Sequence, residues 1–175
     1  VSEPPVSELP AMPRPQGAYV PAVAEPLRPG DVLLATAGMT PRVDGRLTVT
    51  GLVGRDVDVA EARRAAALAA RNAVAACRGE PGGIRRWVRM TVYVACADGF
   101  TELSAVADGA SAALAELTPA LGRPARSAIG VRALPGGAPV EVELTAIAGP
   151  APPAAGAADP PARRSRPADP EVEDE

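Results

Sequence analysis

Apolar and polar positions alternate most clearly between Arg86 and Ala95. Val88, Met90, Val92 and Val94 fall on one face, and Trp87, Arg89, Thr91 and Tyr93 on the other. This is the two-residue period of a half-buried strand. Val140 to Ile147 repeats the pattern, with Val140, Val142, Leu144 and Ala146 opposite Glu141, Glu143 and Thr145. Arg126 to Val131 predicts another strand, with Arg126, Ala128 and Gly130 (and Arg132 beyond) opposite Ser127, Ile129 and Val131; Leu134 to Gly137 predicts a turn after it. Upstream, Val32 to Ala37 is apolar apart from Thr36 and predicts a buried strand. Leu47 to Leu52, alternating through Thr48 and Thr50, predicts a strand that pairs back across the loop Pro41 to Gly45. Gly17 to Val23 predicts a short edge strand, since Pro21 removes a ladder donor.

Two stretches carry a helical period instead. From Val59 to Cys77 there is neither Gly nor Pro. Ala62, Ala66, Ala69, Ala73 and Cys77 form one stripe, with Arg63, Arg64 and Arg71 around the other side. A stripe of small residues lets the helix lie close to a sheet. Asp58, with Glu61 three residues on, forms an acidic variant of the capping box, and Gly79, Pro81, Gly82 and Gly83 end the helix. A second helix is predicted from about Phe100 to Leu117, ending before Pro119. The order β-β-β-α-β-α-β-β describes an α+β sheet with two helices packed on one face. Its other face carries Trp87, Tyr93 and charged groups, which suits either contact with a second subunit or a solvated face of paired Arg and Glu.

Composition sets the limits. Prolines crowd into Val1 to Pro15 and Pro150 to Pro170, predicting flexible tails over 1–15 and 150–175 around one domain at 16–149. The 175 residues are 47% apolar and 22% charged, a globular balance. There is no His, and all 18 basic residues are Arg. These absences exclude a His general base, His-ligated metal, a Schiff-base lysine and a P-loop lysine, and no cofactor or metal is expected. A net charge of -3, scattered Arg residues and four aromatics (Tyr19, Trp87, Tyr93 and Phe100) argue against nucleic acid as the main partner. The one dense basic run, Arg163 to Arg166, is followed by the acidic run Glu171 to Glu175. Cys77 and Cys96 are too few for a disulfide framework and read as reduced, buried hydrophobes. The Pro-rich start does not read as a signal peptide. No apolar run approaches the roughly 20 residues of a membrane helix, so a cytoplasmic location without membrane contact is expected.

Pro124 to Ala148, PARSAIGVRALPGGAPVEVELTAIA, resembles the C-terminal signature of the RidA/YjgF/L-PSP family: Ala-Arg-Ser, then Leu-Pro, then an alternating Val-Glu strand ending in Ala-Ile-Ala. Gly17 to Val20 is similar to the family's early Gly-x-Tyr, Leu34 to Pro41 to its second strand, and Val88 to Phe100 to its Val-x-x-Thr-Val-Phe-Val strand and following Phe. The resemblance spans about 17–148. It looks closest to the YoaB-like branch through Gly51 to Asp56 and the GASAAL stretch after Asp108.

That resemblance implies a chorismate-mutase-like fold and a homotrimer with pockets between subunits. It also implies hydrolysis of reactive imines or enamines to oxo acids and ammonia. Arg126 stands where the family holds a substrate carboxylate, a role that suits a planar guanidinium. The alternative for Arg126 is a salt bridge at an interface, for example to Glu141 or Glu143. Glu141 stands where the family positions water, and Tyr19 where it has a pocket Tyr. The substrate-binding set is completed by Ala37, Gly38, Met39, Asp108 and Ala128. Four of these depart from the family pattern: Ala37 for Ser, Met39 for Gln, Ala128 for Cys and Asp108 for Asn, the last after about one extra helical turn. The pocket thereby loses polar groups. This keeps open a non-deaminating protein that binds a small carboxylate or tailors a specialised metabolite, with ribonuclease activity the weakest of the readings.

Overall fold

The computed structural model describes residues 11–12, 14–79 and 82–150. The Arg163 to Arg166 and Glu171 to Glu175 runs, and most of both predicted tails, lie outside the described residues. The elements are β1 (Val32–Ala35), β2 (Arg42–Val43), β3 (Arg46–Leu47), α1 (Val59–Cys77), β4 (Ile84–Ala95), α2 (Leu103–Leu117), β5 (Ala125–Val131) and β6 (Val140–Ala148). The main sheet has the order β1-β6-β4-β5, and β2-β3 is a separate small ladder. β4 pairs antiparallel with β6 and parallel with β5. A parallel pair needs a long crossover, which α2 supplies. This is an α+β fold with two helices on one sheet face.

Both helices form for the reasons their sequences contain. Asp58 accepts the Glu61 backbone N–H at 2.7 Å and caps α1. The alanine stripe is buried along the full helix, together with Val74 and Cys77. Gly109 of α2 lies where an added Cβ would sit 2.1 Å from the Arg63 carbonyl oxygen, so the two helices meet at backbone distance. α2 starts at Leu103 rather than Phe100, whose N–H bonds back to the Ala97 carbonyl in the preceding turn. No helix among the described residues is long and apolar enough to cross a membrane.

Four expectations are corrected. Trp87 does not lie on the open face. A bulge between Trp87 and Arg89 adds one residue to β4, turning the indole into the core, where it is fully buried and donates to Thr118 Oγ1 at 2.8 Å. Gly17 to Val23 is not a strand. Only Val20 bridges β5, at Ala125. Leu47 to Leu52 does not pair with Val32 to Ala37, because β1 takes the free edge of β6 instead. The chain turns at Asp44 and Gly45, both at positive φ, so the ladder there is two residues long. Finally, β1 is an edge strand rather than a buried one: Leu33 is 73% exposed and only Leu34 reaches the core.

Candidate functional site

Register decides where the predicted site residues go. Partners directly opposite in a ladder share a sheet face. Met90 pairs with both Arg126 and Leu144, and Val92 with both Ala128 and Val142. Arg126 and Ala128 therefore lie on the helix side. Tyr93 pairs with Glu141 and Ile129, and Thr91 with Glu143 and Ser127. Glu141 and Glu143 therefore lie on the open face. Within one chain, Arg126 and Glu141 occupy opposite faces of the same sheet.

Arg126 gathers Asp108 and Tyr19 about it. Its Nη1 donates to Asp108 Oδ1 at 2.7 Å and Ser111 Oγ at 2.8 Å, and its Nη2 to Ser104 Oγ at 2.9 Å. The Tyr19 ring centroid lies 4.8 Å from the guanidinium carbon, a cation–π contact. The Arg126 side chain is 1% exposed and that of Asp108 26%. Burial acts to raise the Asp108 pKa. The Ala18 N–H, the Arg126 hydrogen bond and the Arg126 and Arg63 charges outweigh it and hold the group below its ordinary value. Within one chain Arg126 pairs with Asp108, while Glu141 and Glu143 lie on the other sheet face.

Ser104 and Ser111 were not singled out from the sequence. With Asp108 they stand four and three residues apart, which places all three on one face of α2. That spacing was the available signal. It reads as a solvated face until Arg126 is known to lie beneath it.

Glu141 has a different environment. Its carboxylate lies against Gly38, where an added Cβ would sit 2.2 Å from Oε1. Burial, and then the neighbouring charge of Glu143, push its pKa above the ordinary glutamate value. Glu143 accepts the Tyr93 hydroxyl at 3.0 Å. Ala37 and Met39 flank Gly38. Met39 exchanges both backbone hydrogen bonds with Val142, which fixes the loop beside Glu141, while its side chain packs towards the core. Ala128 also packs against the core.

A cavity of about 710 Å³ opens at the C-terminal ends of β4 and β5, lined by Arg55, Cys96, Asp98, Phe100, Gly130 and Arg132 among others. Its lining includes neither Arg126 nor Glu141, so cavity size and candidate chemistry do not coincide within one chain. A second cavity, about 350 Å³, borders Ala18 and Ser111, both members of the Arg126 cluster. No group of three or more His, Cys, Asp or Glu among the described residues is placed to hold a metal ion.

The signature of the family described as endoribonuclease L-PSP matches residues 10–148. The Trypanosoma cruzi protein TCP17 is 36% identical over 140 residues, covering 78% of this chain and 84% of that protein. Among solved structures, Atu1372 of Agrobacterium tumefaciens, a protein of unknown function, is 40% identical with a TM-score of 0.62, covering 74% of this chain and 83% of that one. A proposed endoribonuclease of Shewanella oneidensis is 30% identical with a TM-score of 0.60, covering 79% and 91%.

Proposed function

The chain belongs to the endoribonuclease L-PSP family, the RidA/YjgF group its motifs resemble, and from that premise we propose that it hydrolyses reactive imines and enamines to oxo acids and ammonia. The observation that carries this reading is the environment of Glu141. A carboxyl that is partly desolvated, set beside a second carboxylate and pressed against the Gly38 backbone has a raised pKa. Such a group is suited to take a proton from water and pass it on.

The reaction needs little else. Water oxygen adds to the imine carbon as its proton passes to Glu141. Glu141 passes that proton to nitrogen, the second follows from the new hydroxyl, and the C–N bond breaks to leave the oxo acid and ammonia. An enamine first tautomerises to the imine. No electron changes hands, so no redox cofactor is called for. Arg126 receives the substrate carboxylate, and Tyr19 covers the guanidinium.

Because Arg126 and Glu141 lie on opposite sheet faces, a pocket holding both takes them from two copies of the chain. This agrees with a homotrimer whose pockets lie between subunits. Exposed Leu33 and Ile129 on the open face suit such a contact.

The test is ammonia release from 2-iminopropionate generated in place by an amino-acid oxidase. Acceleration over buffer, lost in Glu141→Gln, is the expected result; buffer-like rates overturn the reading. Affinity for a 2-oxo acid without any ammonia release would instead support carboxylate binding without hydrolysis. Ribonuclease chemistry is disfavoured by the net charge of -3 and the absence of His and Lys. A steeply salt-dependent RNA affinity would restore it.

A further inference from the structure

We propose that Asp108 is an internal surrogate for the substrate carboxylate: it occupies Arg126 in the free chain, and its displacement sets the affinity for ligand. This rests on the reading that the substrate carries a carboxylate, and adds what that carboxylate must overcome.

A guanidinium has five N–H donors. Asp108, Ser111 and Ser104 take those of Nη1 and Nη2, including a long contact of 3.4 Å to the Ser104 carbonyl. The buried Nε has no partner among the described residues. Arg126 thus offers an incoming carboxylate no free pair of terminal donors. The positive charge is already matched, so the pair exerts little pull at a distance.

Asp108 is also the member of the pair that a ligand meets first, being the more exposed. The same Oδ1 that accepts from Arg126 accepts the Ala18 N–H at 2.9 Å. Ser104 Oγ donates to the Gln16 carbonyl at 2.9 Å. Gly17 fits because it has no side chain: an added Cβ would sit 2.6 Å from Arg126 Nη2 and 2.7 Å from both Asp108 Oδ1 and Ser104 Oγ. Asp108 therefore holds down both the arginine and the Gln16–Tyr19 segment over it. A ligand that displaces this carboxylate gains the charge pair but must also release the segment. Affinity is lowered by that exchange, and a carboxylate left close to the ligand's own adds like-charge repulsion.

Asp108→Asn keeps the shape and leaves an oxygen for Ala18 while removing the charge. Titration with 2-oxobutyrate should show it binding about tenfold tighter than the native chain, with KM for 2-iminopropionate lowered by a similar factor. Asp108→Ser, which removes the charge and leaves a hydroxyl, should shift both quantities the same way and serves if the first variant does not fold. Unchanged or weaker affinity in a folded variant overturns the proposal. So does failure of both variants to fold, which would make Asp108 a structural brace. Tighter 2-oxobutyrate binding with no ammonia release from any form would leave the surrogate role standing and sink the hydrolase reading. Ammonia release with unaltered KM and binding would do the reverse.

Discussion

The two faces of one sheet treat charge in opposite ways. On the helix side, Arg126 is sealed in and its terminal nitrogens are matched by a carboxylate and two hydroxyls. On the open side, Glu141 and Glu143 project from alternate positions of the same strand with like charge, and burial adds to the cost of ionising Glu141. The first arrangement lowers energy by satisfying groups that are hidden. The second keeps a carboxyl poised to hold a proton. The Arg126 and Glu141 environments thus differ in how completely their partners match them, and here a single strand, β4, separates the two cases.

The largest expected effect comes from breaking the matched side. Arg126→Gln leaves Asp108 and the two hydroxyls without their donor, and chemical denaturation should register a loss of about 3 kcal/mol. A change under about 1 kcal/mol would mean the cluster is not a structural unit. Next in size is Glu141→Gln, which should lower ammonia release about 100-fold while leaving denaturation unchanged or slightly improved. An equal loss of stability and activity would show that the open face is not the less satisfied one.

The pH dependence of stability separates the faces by sign. Asp108 titrates below its ordinary value of 3.8 in the folded chain, so its contribution is present above that pH and is lost as pH falls through the folded pKa. Glu141 titrates above its ordinary 4.5, so folding keeps its proton longer. Its ionisation removes stability as pH rises from that value through the folded pKa. Stability profiles of Asp108→Asn and Glu141→Gln should therefore flatten on opposite sides of pH 4, and flattening on the same side would contradict the contrast. The smallest effect belongs to Glu143→Gln. Removing the neighbouring charge should move the acidic limb of the rate profile to lower pH without bringing it to the ordinary glutamate position, because burial is the larger cause of the Glu141 shift.

Periodicity made much of this legible. The alternation in β4 and β6 correctly placed Glu141 and Glu143 together and opposite the Val142 face, and the alanine stripe with its Asp58 cap defined α1. Local patterns did not show the bulge that turns Trp87 inwards, since one added residue reverses the alternation before it without leaving a mark in composition. Nor did they show that Arg126 and Glu141 face apart. That depends on both strands being registered against β4, a contact between segments distant in sequence. Ser104 and Ser111 drew no notice beside Asp108, because the arginine that makes their shared helical face meaningful lies on another element.

The claim on which the account rests is that one site draws on two copies of the chain. Co-expressing Arg126→Gln with Glu141→Gln and measuring ammonia release in the mixed oligomers tests it most directly. If each pocket takes its arginine from one subunit and its glutamate from another, random mixing leaves about a quarter of the pockets intact, and activity should recover to about that fraction of native from two nearly inactive parents. Activity that stays at the average of the parents in demonstrably mixed oligomers would place both residues' roles within a single chain and contradict the account.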